Sequence, residues 1–409
     1  MRANMPIRET VVVIGVHTTI GLSTVRSLGR RGIQCVGISH RPRGVGLYSK
    51  YLTTGYVVPY SADARERYVD QVADIAARHG ANGILCHHEE QMLALDQHRA
   101  RFAGVCELLF PECSVLHRCL DKPTLLGAAQ AVGLRVPFTR EIASVSDAKA
   151  ASSDVPFPAI LKPRGVLPAG ASSEWRVKSR FFTDRIEWEQ FWNRATDPVP
   201  PLIVQQFVHG RYIGLGLAVH DRQAVASFQW TALREYEAGL GALRVSVPPN
   251  RSLVQSAVAL CNSINYEGVC EVEFRGTVDE GSPMLMEVNP RLWGGVSLPV
   301  ACGVDFPFIA YQIYSGQTPT PVHEYKAGVV SRNLSGDLRW LVGGAFRGTY
   351  VAAMPNIRAS RMSVLTGFLS SVGRARVYDL EDLNDPMPAL RHHFGRLMPG
   401  KRWQSGGGH

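Results

Sequence analysis

The sequence predicts an α/β domain followed by an α+β region, and three observations carry that prediction. Near the start, Thr10-Val-Val-Val-Ile-Gly15 and Ile33-Gln-Cys-Val-Gly-Ile38 are apolar runs of strand length joined through a helical stretch, the pattern of a βαβ unit. In the second half, Gly214-Leu-Gly-Leu-Ala-Val219 and Ala224-Val-Ala-Ser-Phe-Gln-Trp230 read as a hairpin about His220-Asp-Arg-Gln223. Later still, Gly268-Val-Cys-Glu-Val-Glu-Phe-Arg275 and Met284-Leu-Met-Glu-Val-Asn289 flank Gly276-Thr-Val-Asp-Glu-Gly-Ser-Pro283, whose Gly, Asp, Ser and Pro residues suit a chain reversal.

Composition sets the bounds. A chain of 409 residues, 45% hydrophobic and 19% charged, has room for two or three domains with ordinary globular cores. No apolar run approaches the ~18 residues of a membrane span, and the first ten residues contain no signal-peptide core. The eight cysteines are scattered without a Cys-x-x-Cys pair, so reduced thiols in the cytoplasm are expected. A net charge of +9 raises the question of nucleic acid, but Lys and Arg occur in short clusters such as Gly29-Arg-Arg-Gly32 and form no long basic block. Such a surface suits anionic small molecules equally well.

In chain order, the first strand runs into Val16-His-Thr-Thr-Ile-Gly21 and a helix to Gly32. Gly15 and Gly21 do not make the Gly-x-Gly-x-x-Gly fingerprint, and Ser39-His40 stands where a dinucleotide fold places an acid, so this scaffold is expected to hold no dinucleotide. A basic loop, Arg41-Pro-Arg-Gly-Val-Gly46, precedes the short strand Gly55-Tyr-Val-Val-Pro59, an amphipathic helix from Tyr68 to His79, and the strand Gly83-Ile-Leu-Cys86. That strand delivers His87-His88-Glu89-Glu90 at its carboxyl end, where open α/β sheets bind ligands, which makes the cluster a candidate substrate contact. The plainer reading is a helix N-terminus with acids in its first turn. A zinc site is disfavoured, because adjacent residues point in different directions and no third ligand is identifiable.

Asp121 caps the next helix, with Pro123 in its first turn. Phe157-Pro-Ala-Ile-Leu-Lys-Pro163 is a strand ending in Lys162 beside a loop bearing Gly165 and Gly170, an arrangement able to grip a triphosphate under a closing lid. Leu202-Ile-Val-Gln-Gln-Phe-Val-His-Gly210 is a buried strand entering a turn, and Arg234 to Arg244 is a polar, glycine-containing loop ahead of a helix from Ser252 to Ile264. Val296 to Ser315 reads as an apolar helix pair interrupted at Gly303 and Pro307, and Gly328 to Trp403 as an extension with no assignable chemistry.

The late hairpin carries the densest chemistry. Alternation puts Glu271 and Glu273 on one face of the first strand and Leu285, Glu287 and Asn289 on a common face of the second. Glu273, Glu287 and Asn289 therefore converge, and two carboxylates with an amide oxygen suit a hard octahedral Mg²⁺ at a nucleoside triphosphate. Arg291, turned by Pro290, adds a fork for phosphate oxygens. The alternative is a hydrated outer face. Against it, Cys270, Val272, Phe274, Met284, Met286 and Val288 line the other side, so the strands are mostly buried and unpaired carboxylates there are expensive.

This stretch resembles the ATP-grasp superfamily, whose signature of a carboxylate, a turn and then Glu-φ-Asn-Pro-Arg stands here as Glu273, Glu287, Asn289 and Arg291, followed by Gly294-Gly295. The resemblance covers roughly residues 10 to 320 and implies a Rossmann-like domain at 1–115, a small ATP-grasp subdomain at 116–200, a large one at 201–327 and an extension at 328–409. It implies that Lys122, in the Asp-Lys passage, and Lys162 reach nucleotide phosphates. It places adenine at the hinge formed by Gln205, Gln206, Phe207 and Val208, and puts Tyr212 where relatives hold ribose with a Glu. Arg234 and Arg244 fall where related ligases carry a phosphate-side arginine.

The implied activity is that of a carboxylate-amine ligase: a small-molecule carboxylate, activated by ATP with Mg²⁺ or Mn²⁺ as an acyl-phosphate, is taken by an amine to give an amide, with ADP and phosphate released. Amino-acid-like substrates, no nucleic acid, no membrane and a homodimer are the corresponding partner expectations. The alternatives are a carboxyphosphate-forming enzyme of the biotin carboxylase or carbamoyl-phosphate type, and a non-catalytic ATP-binding regulator. No nucleophile elbow, Walker loop or His-Glu-x-x-His points to a different chemistry.

Overall fold

The computed structural model describes residues 9–165, 179–236, 240–276, 283–347, 360–395 and 404–405. The loop bearing Gly170, the hairpin turn 277–282 and the terminal residues 406–409 lie outside them.

The N-terminal unit comprises β1 (Thr10–Ile14), α1 (Thr19–Arg30), β2 (Gln34–Ser39), β3 (Leu52–Val57), α2 (Arg65–Arg78), β4 (Gly83–Cys86), α3 (Glu89–Gln97) and β5 (Glu107–Leu108). Its strands are parallel in the order β3-β2-β1-β4-β5, with Gln404–Ser405 from the far end of the chain added beside β3. Val11, Val12, Val13 and Ile14 are all fully buried, which is why β1 reads as a continuous apolar run: a central parallel strand is covered on both faces. Thr18 caps α1 by accepting from the Gly21 N–H. Between β1 and β4 the winding of the sheet changes direction, the point at which doubly wound sheets open a crevice.

The next unit contains α4 (Cys113–Leu120), α5 (Lys122–Ala131), β6 (Thr139–Ile142), α6 (Val145–Ala150), β7 (Ala159–Pro163), β8 (Arg180–Phe182), α7 (Arg185–Trp192) and β9 (Leu202–Gln206). Its antiparallel sheet, β6-β9-β7-β8, closes over a core of Phe182, Trp188, Trp192, Leu161 and Val204. Asp121 caps α5 as its sequence position predicts.

The large sheet is built from β10 (Arg211–His220), β11 (Gln223–Tyr236), β12 (Leu240–Ser246), β13 (Gly268–Gly276), β14 (Met284–Asn289), β15 (Val330–Arg332) and β16 (Val377–Tyr378), in the order β14-β13-β10-β11-β12-β15-β16. Asp221 and Arg222, both at positive φ, form the two-residue turn between β10 and β11. The helices of this unit are α8 (Arg251–Ser263), α9 (Ser297–Ala301), α10 (Phe306–Tyr314), α11 (Leu334–Val342) and α12 (Arg361–Ser371), whereas α13 (Met387–Phe394) packs on the N-terminal unit around Leu22, Val45 and Tyr48. The stretch from Arg234 to Arg244, expected as a loop, is largely the facing ends of β11 and β12. The residues from 328 onward supply β15 and β16 to this sheet and Gln404–Ser405 to the first one, so the extension ties the two ends of the molecule together. Among the described residues no helix is long and apolar enough to cross a membrane.

Candidate functional site

Strands β13 and β14 pair antiparallel with Glu271 opposite Asn289 and Glu273 opposite Glu287, which assembles the three carboxylates and the amide on one face. A bulge follows Glu273, so that Phe274 pairs with Leu285. Leu285 consequently turns into the apolar core with Val272, Phe274 and Val288, while Met286 is half-buried. This corrects the simple alternation, which had put Leu285 on the acidic face: the extra residue in β14 inverts the strand between Leu285 and Glu287.

The acids press on one another. Burial first, then the charges of Glu287 and Glu271, push the Glu273 carboxyl well above the ordinary carboxylate range. Glu271, 5% exposed, is also pushed up by burial, against hydrogen bonds that favour its charged form. Asn289 donates its amide nitrogen to Glu271 Oε2 at 3.0 Å and Glu273 Oε1 at 2.9 Å, and its Oδ1 accepts from Arg291 at 3.4 Å. Its amide therefore presents nitrogen to the acids in this structure; a half-turn of the amide group would set its oxygen beside theirs, where a cation could take all of them as ligands. An all-oxygen donor set with more negative charge than its amide neighbour can offset fits a hard divalent cation.

Two lysines approach from the small unit. Lys162, at the end of β7, is pushed down to about 8 by burial, with Glu287 opposing the shift and Lys122 adding to it. The Lys122 N–H donates to the Arg164 carbonyl at 3.2 Å, and the Arg164 guanidinium grips the capping carboxylate Asp121 at 2.5 Å. That brace ties the start of α5, where Lys122 stands, to the end of β7, where Lys162 stands within reach of the Glu287 and Glu273 charges.

Arg291 joins this face to the N-terminal unit. Its Nε donates to Glu89 Oε1 at 2.6 Å, and its Nη1 donates to the Leu292 carbonyl at 3.0 Å. Glu89 begins α3, as the helix-terminus reading of that cluster expects. His87 is buried against Thr24 Oγ1 at 3.0 Å, whereas His88 turns the other way, toward His17 and His40.

Several expected contacts are engaged elsewhere. Gln205, 1% exposed, donates Nε2 to Thr139 Oγ1 at 3.0 Å within the small sheet, which commits one of its two amide hydrogens. At the same hinge the N–H groups of Gln206 and Phe207 donate to the Phe138 and Pro158 carbonyls, both at 2.9 Å, and Val208 is buried. Tyr212, expected beside a ribose, donates its hydroxyl to Glu271 Oε1 at 2.8 Å and belongs to the acidic cluster. Arg234 is not a phosphate contact: its guanidinium is buried, bonded to Asp337, the Gly367 carbonyl and Ser371, and stacked 4.1 Å from the Trp340 ring centroid. Arg244 is likewise paired with both oxygens of Asp379 at 3.0–3.1 Å. An arginine in a glycine-bearing stretch resembles a loop ligand until its distant aspartate is known.

Sequence reasoning passed over Glu271, although alternation placed it beside Glu273. It also missed the Glu89–Arg291 pair and the approach of His17 and His40 to His88; each of these two histidines lies just past the end of a predicted parallel strand.

With this geometry in hand, comparison with known proteins is informative. A family model described as "ATP-grasp in the biosynthetic pathway with Ter operon" matches residues 228–336, a span that contains the acidic hairpin. A carbamoyl phosphate synthase large chain from Gemmatimonas aurantiaca is 20% identical over 304 residues, 66% of this chain and 25% of that one, so the match spans a quarter of that relative's length. Among solved structures, N5-carboxyaminoimidazole synthetase from Staphylococcus aureus, complexed with ADP, superposes with a TM-score of 0.60 at 14% identity, covering 83% of this chain and 86% of that one. The biotin carboxylase domain of the Hydrogenobacter thermophilus 2-oxoglutarate carboxylase, in complex with MgADP, ADP and bicarbonate, gives 0.59 at 15% identity, covering 78% and 73%.

Proposed function

We propose that this chain, which has the ATP-grasp fold, is an ADP-forming ligase that joins a small-molecule carboxylate to an amine through an acyl-phosphate. The observation that carries this reading is the meeting of Glu271, Glu273, Glu287 and Asn289 on one hairpin face with Lys162 and Lys122 from the facing unit. Glu273, Glu287 and Asn289, with Glu271 beside them, would hold Mg²⁺ or Mn²⁺, which neutralises phosphate charge when bound. Lys122 and Lys162 bind phosphate oxygens. Arg291 is held in place by Glu89, the Leu292 carbonyl and Asn289 Oδ1, and the second hydrogen on each of its Nη atoms would meet the transferring phosphoryl group.

In the first step a substrate carboxylate oxygen bonds to the γ-phosphorus while the bond to the ADP oxygen breaks. In the second, the amine bonds to the acyl carbon and phosphate leaves with the C–O electron pair, the amine proton passing to solvent or phosphate. No covalent enzyme side chain is required, since phosphoryl transfer is promoted by positioning and electrostatics. The hinge around Gln206 to Val208 supports a base site, with Gln206 as the half-buried polar side chain there.

A second reading, carboxyphosphate formation from bicarbonate, is favoured by the carboxylase and carbamoyl-phosphate neighbours. The two separate in one assay, ADP release with mixtures of carboxylates and amines or with bicarbonate alone. Turnover requiring both an organic acid and an amine supports the ligase; turnover on bicarbonate alone replaces it with the second reading, and no ADP under either condition removes both.

A further inference from the structure

Three histidines that the nucleotide site does not use converge at the carboxyl ends of the N-terminal sheet. His17 follows β1, His40 follows β2 and His88 follows β4, and these three strands are neighbours across the point where the sheet reverses its winding. Their ring centroids lie 4.1 Å apart for His17 and His40, 5.0 Å for His17 and His88, and 5.2 Å for His40 and His88. One ring nitrogen from each falls within 4.8 Å of those of the other two.

The ordinary account of a buried histidine is a core residue with both nitrogens satisfied, as His87 is at least on the side facing Thr24. It fails for this cluster. His17 Nδ1 and His88 Nε2 are buried with no hydrogen-bond partner, and a buried polar atom left unpaired costs about 1–3 kcal/mol. Only His40 has a neighbouring amide, Gln91 Nε2 at 3.0–3.1 Å, and Gln91 is itself buried. The backbone makes room for the group: Gly15 sits at φ +95°, and a Cβ there would stand 3.1 Å from the His88 ring.

Charge and protonation agree with a ligand role. Burial, and then the neighbouring imidazoles and Arg41, hold His17 at about 3 and His40 at about 4, so the rings keep the lone pairs that a metal requires. Glu89, Arg41 and Arg291 are the charged groups that bear on His88.

We infer that His17, His40 and His88 form a three-imidazole site for a divalent transition-metal ion of the zinc class, separate from the all-oxygen site on the β13–β14 hairpin. Nitrogen donors select such ions where oxygen donors select magnesium. Ligand bonds of ~2.0–2.1 Å call for the ring nitrogens, within 4.8 Å of one another, to draw inward, and three protein ligands leave a position for water or a ligand oxygen. The ion would stand at the joint between the units, because His88 directly precedes the Glu89 that holds Arg291.

The test is a titration of the full chain with Zn²⁺, against a chromophoric chelator, and with Co²⁺, read by visible absorption, both in excess Mg²⁺. One equivalent of each is expected, with intense Co²⁺ bands of low coordination number. His17→Ala and His40→Gln should each weaken binding by more than the ~10–100-fold that loss of an outer-shell partner costs. His220→Gln is the comparison, since among the described residues His220, Asp221 and Glu267 are the other histidine-containing set near enough to share an ion; this variant should bind as the parent does. Zinc should also protect His17, His40 and His88 of the unaltered chain from diethyl pyrocarbonate, read by peptide mass spectrometry, so the result stands even where a variant misfolds. Failure of the unaltered chain to take up either ion below about 1 mM, on the affinity scale where binding is worth only ~4 kcal/mol, overturns the inference. So does binding that is lost in His220→Gln, or modification of the three histidines that zinc leaves unchanged.

Discussion

The seven-stranded sheet buries charge at both of its ends, and the two ends treat it in opposite ways. Toward β12 and β15, Arg234 and Arg332 share Asp337, and Arg244 takes Asp379. Two buried aspartates there bridge three buried arginines, and these bridges fasten α11, α12 and the segment around Asp379 to the sheet. At the β13–β14 end, Glu271, Glu273 and Glu287 face one another, with the Asn289 amide and the Tyr212 hydroxyl as neutral donors. A buried bridge between opposite charges is architecture, because removing either partner strands a charge. A crowd of like charges is a place where an external cation is worth most, and the strain it stores is of use only at a site.

That contrast is open to attack first at the bridged end. Asp337→Asn leaves the Arg234 and Arg332 guanidiniums buried without their anion, and should destabilise the protein by about 3–5 kcal/mol, seen as a lower midpoint in chemical denaturation. A variant as stable as the parent would mean that these arginines are hydrated and that Arg234 is free to serve the nucleotide after all. At the crowded end the expected response is reversed. Glu287→Gln should cut ADP formation by about 10²–10³-fold or more, the range for loss of a preorganised electrostatic contact, while thermal stability holds or rises because a repulsion has been removed. Loss of stability together with retained turnover would show the acids to be structural.

A smaller effect tests whether Tyr212 belongs to the cluster. Its hydroxyl is a donor to Glu271 at 2.8 Å, and hydrogen bonds to charged groups contribute about 1.5–3 kcal/mol. Tyr212→Phe should therefore raise the Glu271 carboxyl further and weaken Mg²⁺-dependent ADP binding by about tenfold, measured by calorimetry. If the loss is the same with and without Mg²⁺, the tyrosine touches the nucleotide itself, which would restore the ribose role.

How much of this could be read in the sequence depends on the range of the interactions. The pairing of the two acidic strands was legible because their shared face is set largely by residues two apart. Leu285 was misplaced because a bulge, one residue long, has no marker in Met284-Leu-Met-Glu287. Arg234 and Arg244 were misread for a different reason: their partners lie 103 and 135 residues downstream, in a segment whose composition gives no sign of them. The histidine cluster sits between these cases. Each ring follows a strand that periodicity identifies, but only the order β2-β1-β4 makes them neighbours, and that order comes from the packing of the whole sheet.

The gentlest probe of the comparison is pH. Lys162 is the cation that the small unit turns toward the crowded acids; burial holds it at about 8, below the ordinary lysine value, and Glu287 works against that shift. It is charged below about pH 8 and neutral above, so its contribution to Mg-ADP affinity should be constant below that pH and fall on the alkaline side, by at most tenfold per pH unit, while protonation of the raised Glu273 and Glu271 carboxyls lowers affinity separately on the acid side. The falling limb belongs to the free protein, since a bound phosphate favours the charged amine. Lys162→Arg keeps its charge throughout and should bind without the alkaline fall. In Glu287→Gln the acid that supports the charged lysine is gone, so the fall should begin at lower pH than in the parent. A profile that does not move between parent and Glu287→Gln would mean that Lys162 and the acidic face do not sense each other, and the crowded end of the sheet would then have to find its cation without help from the facing unit.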